Sequence, residues 1–265
     1  MTATADKMAR QHLLQNFNIN DFTYDGGSVS SICVKLINPD LARGIIAAFH
    51  YSKTFPDSTL FSFGAFLNGK LVGVVCYGMG GCKEQYTAIF PNIENGTYLE
   101  LTRLWVAYEM PKNSESRIIS QSLKKLPEQY KIILSFADEG QGHCGIIYQA
   151  TNWFYLGCNN GNSIYLDKNG VSKHTHLITV YRARHPELKE LSRGEILERL
   201  GFEKSVSGKK HRYLFLRGTK KEKKIMYDTI KSKIQPYPKL DKKNGLSEED
   251  IFNQENIGFV QMKLF

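Results

Sequence analysis

The stretch Leu60–Met79, LFSFGAFLNGKLVGVVCYGM, decides the architecture. Two apolar runs flank Asn68-Gly69, the strongest short-range signal for a two-residue β-hairpin. Reading outward on the N-terminal side, Ser28–Ile37 is rich in β-branched residues and reads as a strand. Asn38 and Pro39 then open an apolar helix, PDLARGIIAAF, with Asn38 as N-cap and Pro in the first turn. On the C-terminal side, Tyr98–Tyr108 reads as a strand with Leu99 and Leu101 on one face. The polar segment Pro111–Ser116 follows, and Ser114 or Ser116 can cap a helix running to about Leu126. Lys131–Asp138, KIILSFAD, has the continuous apolar run of a buried strand. Gly145–Leu156 reads as a helix ended by Gly157. A second hairpin, SIYLDKNGVSKHTHLITVYRA, is expected to turn at Asn169-Gly170. A small helix (Glu195–Leu200), a strand (Arg212–Leu216) and a basic helix (Lys220–Lys233) complete the chain.

The order β-α-β-β-β-α-β-α-β-β predicts an α+β sandwich on a mixed, mostly antiparallel sheet flanked by helices. With 265 residues, one large domain or one domain with an appendage is expected. We divide the chain into an N-terminal extension (1–27), a core (28–185), a basic segment packed on it (186–240) and a tail (241–265).

Composition narrows the function classes. Hydrophobic content of 42% and charged content of 23% exclude a mostly disordered chain, a collagen-like chain and a membrane bundle. The longest apolar stretches are too short to span a bilayer, and the N-terminus lacks the apolar run of a secretory signal. Five scattered cysteines without CxxC argue against a disulfide framework or structural zinc, so a soluble intracellular protein is expected. The net charge is +9, and Lys204–Lys243 holds 14 Lys/Arg against three acids. All the excess positive charge therefore lies in that segment, interleaved with Tyr213, Phe215, Tyr227 and Tyr237. Lys209, Lys210, Arg212, Lys220, Lys221, Lys223 and Lys224 are candidate contacts to nucleic-acid phosphates.

Three clusters carry candidate chemistry. His50-Tyr51-Ser52-Lys53 follows an apolar helix, as a site lip does. The bland alternative is a histidine that caps the helix C-terminus. Asp138 falls where a buried strand ends, a position suited to a base or a metal ligand. An Asp that merely starts a turn fits equally well. Tyr148 lies near Thr151 and Asn152 on a helix face, while Trp153, Tyr155 and Leu156 suit the core. His174 and His176, two apart in an expected strand, would share a face, and with Asp138 could form a two-His, one-carboxylate metal set.

The element order resembles the GNAT N-acetyltransferases, in which an acyl carrier's pyrophosphate sits at the N-terminus of the helix after the fourth strand. Here that place is Pro111–Ser116, making Asn113, Ser114 and Ser116 candidate cofactor contacts. The usual glycines are missing, which counts against an ordinary acyl-CoA. A more specific resemblance comes from His50-Tyr51-Ser52, Leu101-Thr-Arg-Leu104 with Asn113 and Ser116, and the block SFADEGQGHCGIIYQATNWFYLG (Ser135–Gly157). On these residues the chain resembles the Mom family of phage DNA-modification proteins.

That resemblance implies conversion of adenine in DNA to N6-carbamoylmethyladenine, which shields phage DNA from host restriction. It implies a divergent GNAT-like fold, catalytic roles for His50, Tyr51, Asp138 and Tyr148, and a possible iron cofactor with His50 and Asp138 as ligands. It places the protein in the cytoplasm of a bacterial host. The chemistry sets its own demands. Adenine N6 is a weak nucleophile, so a base such as Asp138 or His50 must take its proton. The amino group is paired in duplex DNA, so the adenine must be flipped out. Aromatics such as Tyr51, Tyr148 and Trp153 can then stack on it. Two other readings are a GNAT-type acyltransferase for a small-molecule or protein amine, and a non-catalytic DNA-binding protein on a GNAT-like scaffold.

Overall fold

The structure is a computed structural model that describes Phe22 and residues 24–80, 83–159, 163–168, 170, 176–206 and 208–238. The elements run β1 (Cys33–Leu36), α1 (Pro39–Phe49), β2 (Thr59–Leu67), β3 (Lys70–Gly78), α2 (Glu84–Thr87), β4 (Tyr98–Val106), α3 (Ser114–Lys125), β5 (Ile132–Asp138), α4 (Ile146–Gln149) and β6 (Phe154–Cys158). They continue through β7 (Ser163–Leu166), α5 (His176–Arg184), α6 (Arg193–Arg199), β8 (Glu203–Val206), β9 (Lys210–Leu216) and α7 (Lys220–Ile230).

A mixed seven-stranded sheet has the order β1-β2-β3-β4-β5-β9-β6. The hairpin forms as expected, with Leu67 opposite Lys70. Asn68 (φ 51°) and Gly69 (φ 80°) both take the left-handed conformation that a tight turn of this kind demands. Neighbours from β1 to β4 are antiparallel, and β4 pairs with β5 in parallel. The Arg217 N–H bonds to Lys131 O and the Glu139 N–H to Lys209 O, joining opposite ends of β5 and β9 and making that pair antiparallel. The expected α+β class and mostly antiparallel sheet are therefore present.

Asn38 caps α1, its side chain accepting the Asp40 N–H at 2.7 Å. The basic helix begins at a capping box, in which Thr219 Oγ1 and the Glu222 carboxylate satisfy each other's backbone N–H groups.

Several local expectations are corrected. Gly145–Leu156 is not one helix: α4 is a single turn and Phe154–Cys158 is a strand. The chain reverses at Asn152 (φ 60°), where the Trp153 N–H bonds to Tyr148 O. A short apolar run suits a buried strand as well as a helix, and here the sheet claims it. Among the described residues the second expected hairpin is also absent. β7 pairs with the distant β8, Ser163 opposite Val206, and His176–Arg184 is helical. His176 is therefore not on a strand, and His174 lies outside the described residues. Neither Ser114 nor Ser116 is the N-cap of α3. That place belongs to Asn113 in the left-handed conformation (φ 71°), while Ser114 Oγ donates to Pro111 O and Ser116 Oγ to Asn113 O. β1 is shorter than expected because Val29–Ser31 forms a 3-10 turn. The tail 241–265 lies outside the described residues.

The central pair of strands separates partway along its length. β4 and β5 pair only at Tyr98–Ile132, Leu99–Ile133 and Glu100–Leu134, although both strands continue. Beyond Glu100 the sheet is forked. Its two faces can be told apart by contact. Tyr77 hydrogen-bonds to Ser122 of α3 at 2.7 Å, so Tyr77 and its β4 partner Leu101 face α3. Trp105 stacks on Phe49 of α1, so Trp105 faces α1. Arg103 and Glu100 oppose Cys76 and Gly78, which share the face of Val74, the partner of Trp105. On that face, farther along the sheet, Tyr98, Ile132 and Leu134 form a core with Tyr86 of α2 and Ile230 of α7.

The chain divides into two compact units. The first comprises residues 1–137, 144–157 and 212–265; the second comprises 138–143 and 158–211. The second has its own core of Ile178, Ile196 and Leu197. Residue 185, the expected end of the core domain, falls inside it. Among the described residues no helix is long and apolar enough to cross a membrane.

Candidate active site at the fork of the sheet

α1 ends at Phe49 and delivers His50 as its C-cap, the His50 N–H bonding to Ile46 O. The His50 ring is buried, and its Nδ1 accepts the Ser52 N–H at 3.1 Å. Ser52 Oγ lies 2.9 Å from the same nitrogen, so the Ser52 backbone and hydroxyl together engage Nδ1. Tyr51 packs on His50 with the rings tilted by 31° and their centroids 4.3 Å apart, yet remains 53% exposed. A large exposed aromatic beside a buried ring is a ready stacking surface.

Arg103 holds this lip in place. Its Nε donates to Thr54 O and its Nη2 to Thr54 Oγ1, both at 2.8 Å. Burial lowers the Arg103 pKa, and Tyr51, Glu100 and Cys76 oppose that shift. The Cys76 thiol is buried and pushed up to about 12, so it is no nucleophile.

Tyr148 enters from the α3 face. Ser135 Oγ lies 2.8 Å from the Tyr148 hydroxyl and 2.9 Å from Leu101 O, where β4 and β5 have begun to part. Trp153 and Tyr213 pack on the Tyr148 ring at 5.0 and 5.1 Å. Burial pushes the phenol up to about 12, against the Ser135 hydrogen bond, with Tyr51 and Glu100 raising it further. Tyr148 therefore keeps its proton near neutral pH and can serve as an acid or hydrogen-bond donor. Trp153 is fully buried, so it supports Tyr148 from within and offers no face to a base.

Asp138 ends β5 in the second unit. Its Oδ1 accepts the Gly140 N–H at 3.0 Å, and it caps the turn Glu139–Gln141. This turn rests on Gly208, where a Cβ would lie 2.8 Å from Gly140 N.

A cavity of about 670 Å³ opens on the α3 face. Asn113, Ser116, Arg117, Ser120 and Lys124 of the α3 segment line it, with Thr151, Asn152, Arg217 and Lys223 opposite. Asn113 and Ser116 thus reach it as expected. Ser114 is fully buried, its hydroxyl engaged by Pro111 O, and does not line the cavity. Arg217 is committed to the carbonyls of Leu126, Pro127 and Tyr130.

The family model described as the Mom protein family matches residues 31–239. The chain belongs to the Mom family. It is 32% identical over 209 residues to the methylcarbamoylase Mom of Escherichia phage Mu, covering 78% of this chain and 83% of that protein. It is also similar to a GNAT-family acetyltransferase from Streptococcus pneumoniae (TM-score 0.40, 9% identity, 71% of this chain and 99% of that one). A structure of a putative phosphinothricin N-acetyltransferase is similar in the same way (TM-score 0.42, 8% identity, 71% and 100%).

The donor set of this Mom-family chain bears on the expected metal. Among the described residues no three His, Cys, Asp or Glu side chains gather into a metal cage. The described residues as placed do not fit an iron centre.

The basic residues separate by environment. Lys220, Lys221 and Lys224 are exposed along α7, whereas Lys223 turns to the cavity. Arg212, expected on DNA, is half-buried, and its Nη2 donates to Leu156 O. Lys209 is exposed in the second unit; the Lys210 backbone N–H bonds to Asn159 Oδ1.

Sequence reading gave Arg103 and Ser135 no role. A usable signal was present: two charges in the central strand YLELTRLWV, where packing alone asks for none.

Proposed function

We propose that this protein is a DNA-modifying transferase that places a carbamoylmethyl group on adenine N6 and so protects phage DNA from host restriction. The observation that carries the reading is the identity to the phage Mu methylcarbamoylase over most of both chains. His50, Tyr51 and Arg103 on one face of the fork, and Tyr148 with the cavity on the other, support it as a layout for two substrates.

In this scheme a flipped adenine stacks on exposed Tyr51. The Tyr148 phenol donates toward the departing group. The cavity takes the donor, with Arg117, Lys124 and Lys223 suiting an anionic carrier. The lysines of α7 hold DNA phosphates and set position without reading sequence. The protein acts in the bacterial host cell. The same cavity also favours a second reading, an acyltransferase using an acyl-CoA-like donor.

Nucleoside mass spectrometry on plasmid DNA from bacteria expressing the protein tests the proposal. A modified deoxyadenosine heavier by a carbamoylmethyl group is expected, and an Asp138→Ala variant should lose it. Unmodified DNA beside abundant soluble wild-type protein would discard the reading, and retention of acetyl-CoA on the purified protein would then favour the second.

Replacing Lys220, Lys221 and Lys224 together by Gln should flatten the dependence of log K on log salt by about 2–3, at roughly 0.9 for each phosphate no longer neutralised. An unchanged slope in a DNA-binding titration would remove α7 from the interface.

A further inference from the structure

Ser135 is the one polar residue in the apolar run of β5 (132–137), and it is fully buried. Ile133 and Ala137, its neighbours on the same face of the strand, lie in the core with Tyr148. Packing alone would be met by an alanine there. The Ser135 hydroxyl instead lies 2.9 Å from Leu101 O on β4 and 2.8 Å from the Tyr148 hydroxyl. A carbonyl only accepts, and a serine has one proton to give. One arrangement puts a proton in both gaps: the Ser135 O–H donates to Leu101 O, and the Tyr148 O–H donates to Ser135 Oγ.

In that arrangement the phenol's proton points at Ser135 and not at a departing group. For Tyr148 to act as an acid, the pair must turn. The phenol swings its proton to the leaving group, and the Ser135 O–H exchanges Leu101 O for the phenol oxygen. A hydroxyl can make that change because it rotates about its C–O bond, which a backbone N–H cannot. Leu101 follows the last β4 residue paired with β5, so Ser135 stands where the two strands part. A hydrogen bond to a developing phenolate is stronger than one to a neutral phenol, so it favours the transition state over the resting state. Burial pushes the phenol pKa up, and the bond from Ser135 works against that rise.

We propose that Ser135 is a positioning residue for the acid Tyr148, holding its oxygen at rest and donating to it as its proton leaves; this rests on the DNA-modification reading and deepens it. The donor class required is one whose transferable carbon bears a leaving group that departs with the bond's electron pair. The adenine N6 lone pair forms the new N–C bond while the bond to the leaving group breaks. The leaving group takes the Tyr148 proton, and the Ser135 O–H turns from Leu101 O to the phenolate. Water takes the proton that N6 sheds and returns one to Tyr148, and Ser135 turns back to Leu101 O.

A second pair of the same kind supplies the control. The Tyr77 hydroxyl lies 2.7 Å from Ser122 Oγ, which donates to Ile119 O at 3.0 Å, and both side chains are fully buried. The test measures modified deoxyadenosine per soluble protein in cells expressing wild type, Ser135→Ala, Ser122→Ala, Tyr148→Phe and the double variant Ser135→Ala/Tyr148→Phe, with DNA affinity determined on each purified protein. Ser135→Ala should lower modification roughly 10–100-fold, the worth of a hydrogen bond to a charged group, with DNA affinity unchanged. Ser122→Ala removes the same kind of bond and should leave modification per soluble protein at the wild-type level, a difference that a packing role would not produce. Adding Ser135→Ala to Tyr148→Phe should cause no further loss, because no phenol oxygen remains to be held. Should Ser135→Ala be insoluble, Ser135→Cys, a weaker donor, takes its place with the same expectation. Wild-type modification by soluble Ser135→Ala, an equal loss in Ser122→Ala, or a further loss on top of Tyr148→Phe overturns the assignment and leaves the DNA-modification reading standing. Absence of modification by wild type overturns both.

Discussion

Cells carrying Tyr148→Phe should show modified deoxyadenosine reduced by about 10²–10⁴-fold, the usual contribution of a positioned acid. The substitution removes one oxygen from a ring held by Trp153 and Tyr213, so the fold and DNA affinity should survive. The loss would come from the proton alone. Burial keeps the phenol protonated through the physiological range, with its pKa pushed up to about 12. Ser135 of β5 bridges that phenol to the Leu101 carbonyl of β4, so its oxygen is held where the two strands part. Quantifying the nucleoside against equal amounts of soluble protein decides the point. Undiminished modification would leave Tyr148 a packing residue.

Gly145→Ala should produce the largest loss of stability. Gly145 has φ 85°, which costs a residue with a Cβ about 1–2 kcal/mol. The added methyl would also lie 2.3 Å from Cε2 and 2.6 Å from Cζ of Tyr213. That ring is fully buried, and its hydroxyl is tied to Cys144 O and Gln149 Nε2, so it has little freedom to withdraw. Overpacking adds about 1–3 kcal/mol, and at about 2–4 °C per kcal/mol the melting midpoint should fall by roughly 5–15 °C. Thermal melting followed by circular dichroism measures this, and a midpoint within about 2 °C of wild type would show that Tyr213 yields easily. Because Gly145 precedes α4, activity should decline with stability.

The fold was legible wherever pairing is local. Asn68-Gly69 turns a strand onto its neighbour, and Asn38-Pro39 opens a helix, so short patterns carry the information. It was illegible where partners are distant. Phe154–Cys158 becomes a strand because the sheet is there to receive it, and β7 finds its mate some forty residues on. The site follows the same rule. His50, Tyr51 and Tyr148 sit in compact motifs with recognisable neighbours. The fork itself depends on three parallel pairs between residues 98–100 and 132–134, which no local pattern announces.

The strand order has a consequence for how the chain is made. β9 lies between β5 and β6, although both leave the ribosome well before it. Until residue 216 has emerged, β5 and β6 have no mate on the sides β9 will occupy, and exposed strand edges of this kind invite pairing with other chains. Closure then requires contacts between residues 91 positions apart, such as Arg217 with the Leu126 carbonyl. Completion of the β5-β9-β6 end of the sheet is thus a late event in synthesis, and a nascent chain stopped before β9 is an aggregation hazard.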